Sequence, residues 1–151
     1  MFLKDKSKYK QGVFNPKNYR KYKGDPTNII YRSGWELRLF KYLDENVNII
    51  SWVSEEVVVP YKNPFDNRYH RYFPDVLAVV KDKDGNQKTF LIEVKPEKQT
   101  KEPVKKEKVN KQYLNEVVTY GINQAKFEAA EKYAKDRGWE FRVITEKDLG
   151  I

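Results

Sequence analysis

Apolar and polar positions along this chain fall into an ordered series of helical and extended patterns. Trp35, Leu39, Phe40 and Leu43 recur at the spacing of one helix face, which predicts a helix from Ser33 to about Asn46. From Ile49 to Tyr61 the chain reads as a strand, with Glu55, Val57 and Val59 on one face. Two apolar runs then flank Asp82-Lys83-Asp84-Gly85-Asn86, so residues 69–95 read as a hairpin that supplies two further strands. Pro96 and Pro103 mark residues 96–104 as a loop. Lys105 to Tyr120 is read as a helix, and Asn123 or Gln124 to Arg137 as another, with Gly138 in the position that ends it. Glu140 to Thr145 supplies the last strand. Helix, three strands, two helices and a strand predict an α/β sandwich around a mixed sheet flanked by helices.

The opening region shows little periodicity and holds Pro16, Gly24 and Pro26. It is read as an extended basic N-terminal arm, residues 1–27, preceding a domain of residues 28–151. The arm is expected to become ordered on the domain or on DNA and to contribute little to core stability. A length of 151 residues suits one domain. There is no cysteine, which removes disulfides and thiolate metal sites. No stretch approaches a membrane span, so no membrane partner is expected.

Charge changes the picture more. The net charge is +8. Residues 1–23 carry eight basic side chains, among them Lys17, Arg20, Lys21 and Lys23, against the single acid Asp5. Phe2, Tyr9, Phe14, Tyr19 and Tyr22 are interleaved. Basic residues mixed with aromatics suit a phosphate backbone and exposed bases, so Lys17, Arg20, Lys21 and Lys23 are candidate DNA contacts. A solubilising tail is the plainer reading. The stretch from Lys95 to Lys111 is also basic but is diluted by Glu97, Glu102 and Glu107, and reads equally as a solvated linker.

The hairpin holds the chemistry. A two-residue turn at Asp84-Gly85 would pair positions whose numbers sum to about 169, which brings Asp75 and Glu93 within one position of each other. Glu93 and Lys95 share a strand face while Val94 points away. Burying such charge costs several kcal/mol per ion unless it is paired or binds metal. Two carboxylates are hard oxygen ligands suited to Mg²⁺, with Mn²⁺ as a substitute, and Lys95 could orient a water or offset phosphate charge. A surface salt bridge would explain Glu-x-Lys in isolation. Inside apolar strands with a facing Asp, the metal site is the better account. Glu36 is either the acid of a capping box, Ser33-Gly34-Trp35-Glu36, reaching back to the Ser33 N–H, or a third acid leaning toward the metal. Glu55 is either an acid behind the metal ligands or a strand-edge residue. His70 is the only histidine, which argues against a zinc site, and no Gly-rich loop suggests ATP.

The layout of helix Glu, Pro74-Asp75 and Glu93-x-Lys95 resembles the PD-(D/E)xK nuclease superfamily. The ordered series is more specific. Tyr31-Arg32-Ser33-x-Trp35-Glu36, Trp52-x-Ser54-Glu55, Pro60-Tyr61, Arg71-Tyr72-Phe73-x-Asp75, Glu93-x-Lys95-Pro96, Asn115-Glu116, Asn123-x-x-Lys126-Phe127-x-Ala129-Ala130 and Phe141-Arg142-x-x-Thr145-Glu146 resemble the head completion nucleases of contractile-tailed phages, over roughly residues 15–147. The same core is similar to the TnsA-type endonucleases of certain transposons. The resemblance implies a restriction-endonuclease-like core and Mg²⁺-dependent cleavage of DNA at the phage head during or after packaging. It implies Asp75, Glu93 and the Val94 backbone carbonyl as metal ligands, Lys95 at the nucleophile, Glu36 as the helix acid, and Asn123 or Lys126 at a phosphate. Arg32 and Arg71 complete the candidate DNA contacts. The later helix departs from the superfamily pattern, because Gln124 does not clearly match the Gln that some members carry there. Head, portal or neck proteins are the expected partners, in the host cytoplasm during assembly or on the virion. Two other functions stay open at this level: a structural head-completion or DNA-end-binding protein with weak or no cleavage, and a transposase-type strand-cleaving subunit, which would need partner subunits and a further C-terminal region.

Overall fold

The computed structural model describes residues 11–105 and 107–150. Its elements are β1 (Gly12–Phe14), β2 (Ile29–Tyr31), α1 (Gly34–Glu45), β3 (Ile49–Ser54), β4 (Val59–Lys62), β5 (Tyr69–Tyr72), β6 (Val76–Lys81), β7 (Gln87–Val94), α2 (Lys111–Asp136) and β8 (Glu140–Ile144). The central sheet runs β3-β6-β7-β8. Its first three strands are antiparallel, and β8 returns parallel to β7 after the α2 crossover. This is a mixed sheet between helices, as the order of patterns implies.

Alternation along β6 and β7 divides the core in two. Val76, Ala78 and Ile92 pack with Leu39, Phe40 and Leu43 of α1. Leu91 and Leu77 pack on the other side with Ala130 of α2 and with Val59, Tyr61 and Tyr72 of the β4–β5 pair. Helix α1 begins where Ser33 Oγ accepts the Glu36 N–H at 3.1 Å and ends at Asn46, close to the expected limits.

Four expectations are corrected. The strand expected over 49–61 breaks after Ser54, because Glu55 adopts a left-handed backbone (φ 54°) that a non-glycine residue adopts only when its surroundings hold it there. Its N–H bonds the Asp75 carbonyl at 3.1 Å, and the chain leaves for a separate β4–β5 sheet. Glu55 therefore shares no strand face with Val57 and Val59. The hairpin turn spans five residues rather than two: the Asp82 side chain accepts from the N–H groups of Asp84 and Asn86, each at 2.9 Å. Val76 pairs with Ile92, and continuing that register sets Asp75 directly across from Glu93.

The two expected later helices are one helix of 26 residues, capped by Asn110, whose side chain accepts the Tyr113 N–H at 2.8 Å. Gly121 does not interrupt it. A Cβ there would lie 3.0 Å from the Phe65 ring, so the small residue admits a close neighbour. Finally, residues 11–27 are not an arm apart from the core. β1 pairs with β2, Phe14 and Tyr22 are buried, and their rings lie 6.0 and 4.7 Å from that of Trp52. Residues 1–10, with half of the expected basic side chains of this region, lie outside the described residues.

Candidate active site

β6 and β7 end together, and their ends carry the acids. Glu93 is buried and Asp75 partly so. Asp75 Oδ2 accepts the Val94 N–H at 2.7 Å, which fixes the carboxylate against the neighbouring strand. The Tyr72 hydroxyl donates to Glu93 Oε1 at 2.7 Å, and Lys95 Nζ lies 3.6 Å from Glu93 Oε2. Lys126 reaches in from α2, half-buried above the Tyr72 ring with its Nζ 5.5 Å from the centroid.

The electrostatics follow from this crowding. Burial, then repulsion from Glu93 and Glu36, pushes the Asp75 carboxyl well above the usual carboxylate range. Burial also raises Glu93, while Lys95, the Tyr72 hydroxyl and Lys126 oppose the rise. Tyr72 is raised far by burial and by Glu93, so it remains a hydroxyl and a donor. Lys126 is lowered, first by burial and then by Lys95, with Glu93 acting against both. Among the described residues, no three Asp, Glu or His side chains come close enough to cage a cation by themselves. A pair of carboxylates completed by water and substrate oxygens is the arrangement Mg²⁺ commonly takes.

Glu36 joins the group through space. Its carboxyl is raised chiefly by burial, with Glu55 and Glu93 contributing, whereas the Arg32 N–H it accepts at 3.1 Å opposes the rise. Ser33 does cap α1, but the reciprocal half of the capping box differs from expectation: Glu36 reaches the Arg32 N–H and not that of Ser33. The Arg32 guanidinium pairs with Glu55, at the bend that follows β3. Glu55 is thus an acid at the rim that holds Arg32.

Residues 46–146 match the family of TnsA-like endonuclease N-terminal domains. The chain belongs to this family. It is also 42% identical over 142 residues to the head completion nuclease of Enterobacteria phage T4, a match that covers 91% of this chain and 92% of that protein.

On this TnsA-like endonuclease core the expected DNA contacts separate into two groups. Arg32 and Lys126 lie at the acids, and Arg71 is exposed on β5 near the Phe73 ring. Lys17 and Lys21 sit at the far end of α1. From Glu36 to Glu45 is nine residues, or about 14 Å of helix. There Lys17 Nζ lies 3.8 Å from Glu45, and Lys21 Nζ donates to the carbonyls of Asp44 at 2.9 Å and Asn46 at 2.8 Å. Lys21 is therefore a helix C-terminal partner and not a free phosphate contact. Arg20 lies by the Tyr19 ring, and the Lys23 N–H bonds the Trp52 carbonyl while its side chain is exposed. Asn123 is 3% exposed, and its Nδ2 has no partner among the described residues, so it is a buried group and not a surface phosphate contact. Tyr72 is the site residue that sequence reasoning did not assign. Its place three residues before Asp75 was the available signal, but only the fold turns its hydroxyl toward Glu93.

Proposed function

We propose that this chain is a divalent-metal-dependent DNA nuclease that hydrolyses phosphodiester bonds in completing phage heads. One observation carries the reading: Asp75 and Glu93 stand opposite each other at the end of the sheet, with Lys95 at 3.6 Å from Glu93 and Glu36 within electrostatic reach. The donor set suits a hard cation, because its carboxylates are buried, mutually repelling and incompletely neutralised. Asp75, Glu93 and the Val94 carbonyl would hold Mg²⁺, or Mn²⁺ in its place. When bound, the cation supplies a water of lowered pKa and neutralises charge on the scissile phosphate.

The chain's own groups do the rest. Tyr72 and the Val94 N–H fix the two carboxylates in place. Lys95 orients the attacking water or offsets charge on the phosphate, and Lys126 adds a second cation facing the same space. Glu36 is a third acid within electrostatic reach of the pair. A set of acids this poorly neutralised is a liability for a protein kept only for its shape, which favours cleavage over a purely structural role in head completion. The partners in this reading are DNA and the head, portal or neck proteins of the particle, in the host cytoplasm during assembly or on the virion.

Nicking of plasmid DNA by the purified chain, with Mg²⁺ and with EDTA, tests the proposal when paired with gel shifts on the same preparations. Cleavage should require the metal and vanish in Asp75→Asn and Lys95→Ala while DNA affinity persists. Equal loss of both activities would point instead to a structural protein, and cleavage that survives Asp75→Asn would remove the site from consideration.

A further inference from the structure

A cavity of about 860 Å³ opens between the first half of α2 and the segment from Lys98 to Val104 that follows β7. This lies within the range of sites that enclose small organic groups. Its wall is unusual in composition. Four carboxamides line it, Gln99, Gln112, Asn115 and Asn123, together with Tyr120. At its inner end Asn123 is 3% exposed, with Nδ2 lacking an acceptor among the described residues. A buried amide N–H without an acceptor costs about 1–3 kcal/mol, and because Asn123 lines the cavity, a turn of its amide toward a ligand acceptor would recover that cost. Asn123 is also three residues from Lys126, about one turn along the same face of α2, so the cavity adjoins the space where the scissile phosphate would lie.

Carboxamides and a tyrosine ring are poor phosphate binders and good base binders. Asn and Gln offer the paired donor and acceptor that match a nucleobase edge, and an aromatic ring offers a face for stacking. Two of the three lysines on the cavity wall have acidic neighbours: Lys98 Nζ is 4.0 Å from Glu116 and Lys101 Nζ is 2.9 Å from Glu97. A base inside a duplex cannot present its pairing edge to the wall of a pocket, since its partner strand occupies that edge. Resting on the nuclease reading above, we infer that this cavity receives an unpaired nucleobase flanking the scissile phosphate, and that the enzyme selects DNA with unpaired nucleotides over fully paired DNA. Asn123 reads the base edge, and Tyr120 stacks on its face.

Fluorescein-labelled hairpin oligonucleotides closed by a polyethylene glycol linker in place of a nucleotide loop, one blunt and one carrying three unpaired terminal nucleotides, test this by anisotropy with the full chain in EDTA. The wild type should bind the unpaired form roughly tenfold more tightly, the size expected from one stacked base. Tyr120→Ala and Asn115→Ala should each reduce that ratio toward one while leaving affinity for the blunt hairpin unchanged. Asn115 is exposed, so its variant reads out the pocket even where a core change would disturb folding. Equal wild-type affinity for the two hairpins would overturn the inference, as would a ratio that survives both substitutions. Mg²⁺-dependent nicking of paired plasmid by the same preparations reports on the nuclease reading separately, so either idea can fail alone.

Discussion

Two groups of buried charge sit near opposite ends of α1, and they are treated differently. Asp44, 1% exposed near the C-terminus of α1, has both carboxylate oxygens satisfied: Oδ2 accepts the Lys17 N–H and Oδ1 the Asn18 N–H, each at 2.9 Å. It ties the entering chain to the helix. Asp75 and Glu93 face each other with one hydrogen-bond donor apiece and Lys95 beside Glu93, and Glu36 adds a third negative charge nearby. A buried acid with complete hydrogen bonding stabilises the fold. A pair left short of partners instead stores affinity for a cation or a substrate.

Substitution should separate the two ends most sharply. Asp75→Asn preserves an acceptor for the Val94 N–H, and is expected to lower cleavage by roughly a hundredfold or more. Without metal at neutral pH, it should also raise stability by on the order of 1–3 kcal/mol, because it removes a disfavoured charge. Asp44→Ala should do the reverse. It leaves the N–H groups of Lys17 and Asn18 without their acceptor in a partly buried setting and should cost about 1–3 kcal/mol, with cleavage per folded molecule unchanged. Thermal melts and nicking assays on both variants read this directly. Two destabilised variants would erase the distinction.

Glu36→Gln sharpens it within the site. Gln keeps an oxygen for the Arg32 N–H, so the helix start should hold while activity falls about ten- to a hundredfold, the usual effect of removing a group that supports a metal site. Full activity in Glu36→Gln would reduce Glu36 to a helix-end residue.

The same contrast has a pH signature. Asp75, Glu93 and Glu36 titrate above their unfolded values of about 4, so the folded state holds more protons just above that pH. Metal-free stability should therefore fall as pH rises from about 4 through the raised folded values. Exposed Asp25, Asp66 and Glu97, lowered by hydrogen bonds, act in the opposite sense as pH drops below about 4. Denaturant melts from pH 4.5 to 8, with and without Mg²⁺, should show a decline that the metal flattens. An unchanged decline in Mg²⁺ would argue against binding at the acids.

The smallest effects are expected at the basic N-terminal region. Lys21→Met should cost about 1 kcal/mol through lost contacts at the α1 C-terminus, with little change in the salt dependence of DNA binding. Deleting residues 1–10, which carry Lys4, Lys6, Lys8 and Lys10, should instead weaken DNA binding and reduce the log–log salt slope by roughly 0.9 for each lost duplex phosphate contact. Extending the deletion past Tyr22 should unfold the protein, since Phe14 and Tyr22 are core residues. A salt slope untouched by the short deletion would assign those lysines to a protein partner.

Local pattern specified α1, the turn between β6 and β7, β8, the mixed α/β class and the identities of the hairpin acids. Those features rest on local periodicity and on alternation along a strand, which neighbouring residues carry without help from the rest of the chain. It also placed Asp75 and Glu93 within one position of their true register, because a short turn limits the possible pairings. Only the tertiary structure decided the rest. The break at Glu55 depends on the Asp75 carbonyl and on Arg32, 23 positions earlier in the chain. The need for a small residue at Gly121 within α2 comes from Phe65, and the burial of Phe14 and Tyr22 depends on Trp52. The assembly of Glu36, Tyr72 and Lys126 around the acids comes from three separate elements. Each is a contact between residues distant in sequence, and local pattern holds no record of such contacts until the sheet and its two helices have closed around them.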